Sequence, residues 1–274
     1  MSQTEAKKRL QVLNQTSDTM PPAGTGESGM TTIEPSILVS SDLMNVISVA
    51  NLCAKEKQLG AIFGDPGSGK TTAIKEFIKR YDDVLYLTAR PEMSVRDILE
   101  ILGGMLDIVV SGTNYRRVSA ITAELAKNPR MIIIDEAESL ITYTTRKMEI
   151  FRELFDEAGI PMILCGDLRL ESSLTRGPSL KENLSRFYSR IRYSIKLMGL
   201  SSDEAKEMVK RYPNITPPAQ AELLTYIKTT KCGSIRVLNH LIEICRSLIR
   251  NTGQQEITLE IVKEASKFLL VKAR

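Results

Sequence analysis

Eight consecutive residues, Gly64-Asp65-Pro66-Gly67-Ser68-Gly69-Lys70-Thr71, have the types and spacing needed to hold a phosphate. They fit the pattern G-x-x-x-x-G-K-[ST]. Its glycines, Gly64, Gly67 and Gly69, permit positive φ, so successive backbone N–H groups can turn inward around an anion with no side chain in the way. Lys70 adds a point charge, Thr71 offers a hydroxyl to Mg²⁺, and a helix starting here aims its positive dipole end at the same phosphates. Thr72 falls in the first turn of that helix. Residues 64–72 therefore read as a P-loop for ATP with Mg²⁺.

A second constellation is Asp135-Glu136, which ends the apolar run Met131-Ile132-Ile133-Ile134. Such a run suits a strand buried on both faces that delivers its acids at the carboxyl end. After a P-loop, this pair reads as a Walker B motif. Asp135 is expected to hold Mg²⁺, mostly through water, and Glu136 to orient and deprotonate the attacking water.

The elements that must position these groups are legible as alternating strands and helices. Leu59–Phe63 is an apolar strand before the P-loop, and Ile74, Phe77, Ile78 and Tyr81 recur at helical spacing after it. Upstream, Ser41 is expected to cap a helix with Leu43, Val46, Ile47, Ala50 and Cys53 on one face. That face suits either packing or a grip on an adenine ring. Val84–Leu87 forms a second strand, Ser94–Asp97 has capping-box form, and a helix over 115–127 stops at Asn128-Pro129. A helix over 147–158 leads to the strand Pro161–Cys165, which Gly166-Asp167 terminates. This alternation predicts an α/β core with a parallel sheet flanked by helices over residues 33–199.

From Ser201 onward no strand is expected. Capping signals at Ser201–Glu204 and Thr216-Pro217, a break at Gly233-Ser234 and a last helix over 258–272 predict a small helical domain, residues 200–274. Residues 1–32, rich in Ser, Thr, Gly and Pro, read as a flexible tail with at most a short helix near Ala6–Leu13.

With 274 residues and 42% hydrophobic content, the chain can bury a substantial core. Its four cysteines and single histidine show no zinc-ligand spacing, so reduced buried thiols are expected. No apolar run reaches the roughly 20 residues that span a bilayer, and no signal-peptide h-region opens the chain, which predicts a cytoplasmic location and no membrane partner. The formal net charge of +4 arises wholly within residues 201–274. A basic cluster also lies at Arg176, Lys181, Arg186, Arg190, Arg192 and Lys196, with Glu182 its one acid. It suits a solvated face or a phosphate contact. Ser111–Arg117 likewise suits either an exposed turn or a loop touching a nucleic-acid backbone.

Taken in order, the P-loop, the Asp135-Glu136 strand, the strand ending in Gly166-Asp167 and the helical lid resemble the AAA+ ATPases. The resemblance implies that Asp167 stands at sensor 1, that Arg190 in Ser189-Arg190-Ile191 is the arginine finger acting on the next subunit's ATP with Arg186 as second choice, and that Arg236 in Gly233-Ser234-Ile235-Arg236 is sensor 2. Within that class, Ile132–Leu140 and Gly166-Asp167-Leu168-Arg169-Leu170 resemble the transposition regulators of the phage Mu B, TnsC and TniB group. The group's members assemble as rings or filaments on duplex DNA and stimulate a transposase. Mapped onto this chain, the resemblance puts Arg96, Thr113, Arg116 and Arg117 along the DNA phosphates. The alternative reading is an ATPase of the secretion-associated ExeA type, directed at a protein or envelope partner without DNA. A third is a scaffold whose hydrolysis times disassembly.

Overall fold

The computed structural model describes residues 38–175, 184–229, 234–252 and 254–269. The chain enters through helix α1 (Ser41–Glu56), strand β1 (Leu59–Phe63) and helix α2 (Lys70–Ile78). Then come β2 (Val84–Thr88), α3 (Val95–Met105), α4 (Asn114–Lys127) and β3 (Met131–Asp135). A 3₁₀ turn (Ala137–Ile141), α5 (Arg146–Ala158), β4 (Met162–Gly166), α6 (Leu168–Thr175), α7 (Ser185–Tyr188) and β5 (Ile191–Lys196) complete the α/β part.

All pairings are parallel, in the order β2-β3-β4-β1-β5. The apolar runs of β1, β3 and β4 are buried on both faces, yet each still sorts its side chains by period two. Leu59, Ala61 and Phe63 face one core together with Ile132, Ile134, Met162 and Leu164. Ile62, Ile133, Ile163 and Cys165 face the other, under α1 and α2. Gly60 lets α1 approach β1 closely, since a Cβ there would lie 2.5 Å from Cys53 Sγ. The residues suggested for an adenine grip, Leu43, Val46, Ile47, Ala50 and Cys53, are spent on this core.

β5 is a strand that the sequence does not announce, and the basic residues of that run, Arg192 and Lys196, keep the solvated face expected of them. Ile191, Tyr193 and Ile195 turn partly inward while Arg192, Ser194 and Lys196 point to solvent. An edge strand needs only one apolar face, so three cationic or polar positions do not prevent pairing with β1. A correction concerns α1. Its N-cap is Ser40, in extended conformation, whose Oγ accepts the Leu43 N–H at 3.2 Å, whereas Ser41 is already helical.

Beyond β5 lie α8 (Ser202–Lys210), α9 (Pro217–Thr229), α10 (Ser234–Thr252) and α11 (Leu259–Ser266). They enclose a third core containing Val209, Leu223, Leu238, Leu241, Cys245 and Val262. The last helix is shorter than expected. It ends at Ser266 with Lys267 as C-cap, and residues 270–272 of the expected span lie outside the described residues. Glu204 ties this part to α1: Oε2 accepts the N–H of Ser201, the N-cap of α8, while Oε1 accepts the Ser41 N–H of α1. The expected helix near Ala6–Leu13, Arg176, Lys181 and Cys232 are also outside the described residues.

Candidate nucleotide site and nucleic-acid surface

Because β4 lies between β1 and β3, the carboxyl ends of these three strands bring the P-loop, Asp135 and Asp167 to one edge. This is where open parallel sheets form ligand crevices. A cleft of about 450 Å³ opens there. Gly67, Gly69, Lys70, Thr71 and Thr72 line one side, Glu136, Glu138, Asp167 and Arg169 a second, and Ile235, Arg236, Asn239, His240 and Glu243 of α10 a third. Pro66 completes the loop side. The single described histidine, exposed on α10, thus faces the cleft.

Within the P-loop the glycines have different jobs. Gly67 and Gly69 adopt φ of 83° and 97°, which other residues rarely do. Gly64 is needed for space instead, since a Cβ there would sit 2.8 Å from Ser68 Oγ. Lys70 is 8% exposed and donates from Nζ to the carbonyls of Gly64 at 2.8 Å and Asp65 at 3.1 Å, so its ammonium is held inside the loop. Ser68 Oγ is buried with no hydrogen-bond partner.

Thr71 Oγ1 donates to Asp135 Oδ2 at 2.8 Å, joining the start of α2 to the end of β3. The same carboxylate oxygen accepts from Tyr86 Oη at 2.8 Å. Burial foremost pushes the Tyr86 phenol up to about 12, so it stays a donor that orients Asp135. A hydroxyl and a carboxylate oxygen side by side are hard donors suited to Mg²⁺, which usually completes its shell with phosphate and water. Among the described residues no cluster of three or more His, Cys, Asp or Glu could hold a metal unaided. The orphaned Ser68 hydroxyl, the glycine cradle and this donor pair together fit a nucleoside triphosphate with Mg²⁺.

Glu136 follows at φ 54°, a left-handed conformation that turns it out of the strand's alternation and into the cleft. Glu138, which no sequence motif singles out, stands beside it. Its Oε2 accepts the Asp167 N–H at 3.1 Å, and Gly166 must lack a side chain because a Cβ there would lie 2.8 Å from that oxygen. Burial first, then a hydrogen bond with the Glu136 side chain, raises the Glu138 carboxyl to about 7. Asp167 is 8% exposed and acts as a helix cap: Oδ1 accepts from Arg169 N–H and Leu170 N–H, and Oδ2 faces Arg169 Nε at 2.5 Å.

Arg190 does not line this cleft. Its Nε and Nη2 donate to the two carboxylate oxygens of Asp156 at 2.9 and 3.2 Å, and these bonds hold the Asp156 carboxyl below its ordinary range. Arg186 is exposed on α7.

The expected DNA-facing residues do not form one set. Thr113 caps α4, and Arg116, in its first turn, is exposed beside Tyr115, which is 80% exposed. Arg96 is exposed but pairs with Glu100 at 2.7 Å. Arg117 is a correction: it is 7% exposed, with Nη1 donating to the Gly112 carbonyl and Nη2 pairing with Glu100. The helix begins at Asn114, and its fourth residue turns inward, where a loop would have left it outside. No described helix is long and apolar enough to cross a membrane.

The chain has the fold of the AAA+ P-loop proteins, and residues 53–174 match the family model described as AAA domain. The chain is similar to the ATP-dependent target DNA activator B of Escherichia phage Mu, at 26% identity over 73% of this chain and 62% of that protein. It is also similar to the Mu-like prophage FluMu DNA transposition protein B of Haemophilus influenzae, at 27% identity over 66% of this chain and 62% of that protein. The match thus spans 62% of the length of these relatives. Among solved structures, the Aeropyrum pernix ORC2 protein in its ADP form shares the fold, with a TM-score of 0.62 at 15% identity, covering 81% of this chain and 67% of that one.

Proposed function

We propose that this chain is an ATP-dependent DNA-binding ATPase that oligomerises on duplex DNA without reading its sequence, selects the target and activates a transposase. The observation that carries ATP hydrolysis is the Thr71–Asp135 hydrogen bond beside Glu136 in a cleft rimmed by a P-loop. Lys70 and the loop N–H groups hold the phosphates, and Thr71 and Asp135 hold Mg²⁺, which when bound neutralises charge on the phosphoryl oxygens. Glu136 orients the water and accepts its proton. Arg236 reaches the same nucleotide from a lid domain over residues 200–274, and Arg190 serves the neighbouring subunit. The DNA and transposase parts are supported by the names of the phage relatives and by the exposed Arg116.

A second reading, an ATPase directed at a protein or envelope partner, draws support from the burial of Arg117 in the interior. Electron microscopy with a slowly hydrolysed ATP analogue, with and without duplex DNA, separates the two. Rings or filaments on DNA, with DNA-stimulated hydrolysis, support the first reading. Assembly indifferent to DNA supports the second.

A further inference from the structure

Asp167 follows the end of β4 and lines the cleft with Lys70 and Glu136, yet its carboxylate is already engaged. Oδ1 accepts two N–H bonds from the start of α6, at 2.8 Å from Arg169 and 3.2 Å from Leu170, and Oδ2 pairs with Arg169 Nε. An anion presented to a polyphosphate would also be repelled. Arg169 has the opposite properties. Its side chain is 82% exposed, and it lines the cleft alongside Lys70 and Glu136. The ion pair uses Nε, and the fork of the two Nη groups is the part of a guanidinium that matches phosphate geometry. Asp167 thus holds the stem of Arg169 at the cleft edge and leaves its charged fork to meet an anion.

We propose that Arg169, not Asp167, is the group of this subunit that contacts the terminal phosphate and tells a triphosphate from a diphosphate. The inference rests on the reading of the cleft as a nucleotide site. A short chain of contacts joins that position to the base: Arg169 to the Asp167 carboxylate, the Asp167 N–H to Glu138 Oε2, and Glu138 to Glu136. Lys70 is less able to discriminate, because its ammonium is anchored on two loop carbonyls.

The test is equilibrium binding of a slowly hydrolysed ATP analogue and of ADP to the full chain, with Arg169→Ala and Arg169→Lys compared with the natural sequence. Arg169→Ala should weaken the triphosphate analogue about tenfold or more, the loss of a charge-assisted hydrogen bond, and change ADP by less than about threefold. Arg169→Lys should recover part of the difference. Equal losses for both ligands, no loss for either, or a lost preference in Asp167→Asn with none in Arg169→Ala would overturn the proposal. Failure of the natural chain to bind either nucleotide would overturn the nucleotide reading itself. A circular dichroism spectrum matching the natural chain's confirms that a variant is folded; the exposed position makes that the expected result.

Discussion

Thr71 and Asp135 are 64 residues apart and share a 2.8 Å hydrogen bond, which ties the first turn of the P-loop helix to the last residue of β3. In the proposed function this pair would hold Mg²⁺, and the two residues flanking it, Lys70 and Glu136, would have separable tasks. Lys70→Ala should weaken ATP binding about tenfold or more. Glu136→Gln should keep binding and lose turnover by about two orders of magnitude or more, because the base is removed and the Mg²⁺ donors stay. Calorimetric binding and steady-state hydrolysis check both, and undiminished turnover in Glu136→Gln would sink the assignment.

Glu138 gives the fold a pH dependence of known sign. Its carboxyl titrates near 7 when folded against an ordinary 4.5, so between these values the native state holds the extra proton. Stability must then fall as pH rises from about 5 to about 7, the direction set by proton linkage. Glu138→Gln removes the titrating group, and thermal melts across that range should show a flatter profile than those of the natural chain. An unchanged profile would place the titration elsewhere.

Arg190 pairs with Asp156, and in its proposed role across a subunit interface it would have to exchange that partner. Mixing Arg190→Ala with Glu136→Gln subunits should restore part of the hydrolysis that each variant lacks alone, because some interfaces regain one intact finger facing one intact base. A finger in trans contributes about 10³–10⁵ in rate, so even a small share of repaired interfaces is measurable. If Arg190→Ala assemblies turn over at the natural rate, Arg186 becomes the candidate.

Arg116 and Arg117 are adjacent in sequence and opposite in setting, so their alanine variants should diverge. Arg116→Ala should reduce the salt dependence of DNA binding, by about 0.9 in the log–log slope for each phosphate the protein no longer neutralises, equally on all sequences. Arg117→Ala leaves the Gly112 carbonyl without its partner, removes one of the two arginines paired with Glu100, and should cost about 1–3 kcal/mol of stability. Filter binding over a salt series and chemical denaturation distinguish the two outcomes. A salt slope altered only by Arg117→Ala would reverse the assignment.

Much of the site is legible before folding, because its parts are local. Gly64–Thr71 announces a phosphate cradle through residue types within one turn, and Met131–Glu136 announces a buried strand with acids at its end through an apolar run that needs no partner to be recognised. The caps at Ser94 and Ser201 are equally local, each a hydroxyl reaching three residues ahead. β5 is illegible because an edge strand spends half its residues on solvent, and Arg192 and Lys196 carry the composition of a surface run. Tyr86, Glu138 and Arg169 stay hidden for a different reason. Each gains its role only when the order β2-β3-β4-β1-β5 sets distant strand ends side by side, which no single stretch encodes. Arg117 shows the same limit within a single helical turn. Its type suggests a phosphate, but the turn of α4 decides that it faces Glu100 and the interior.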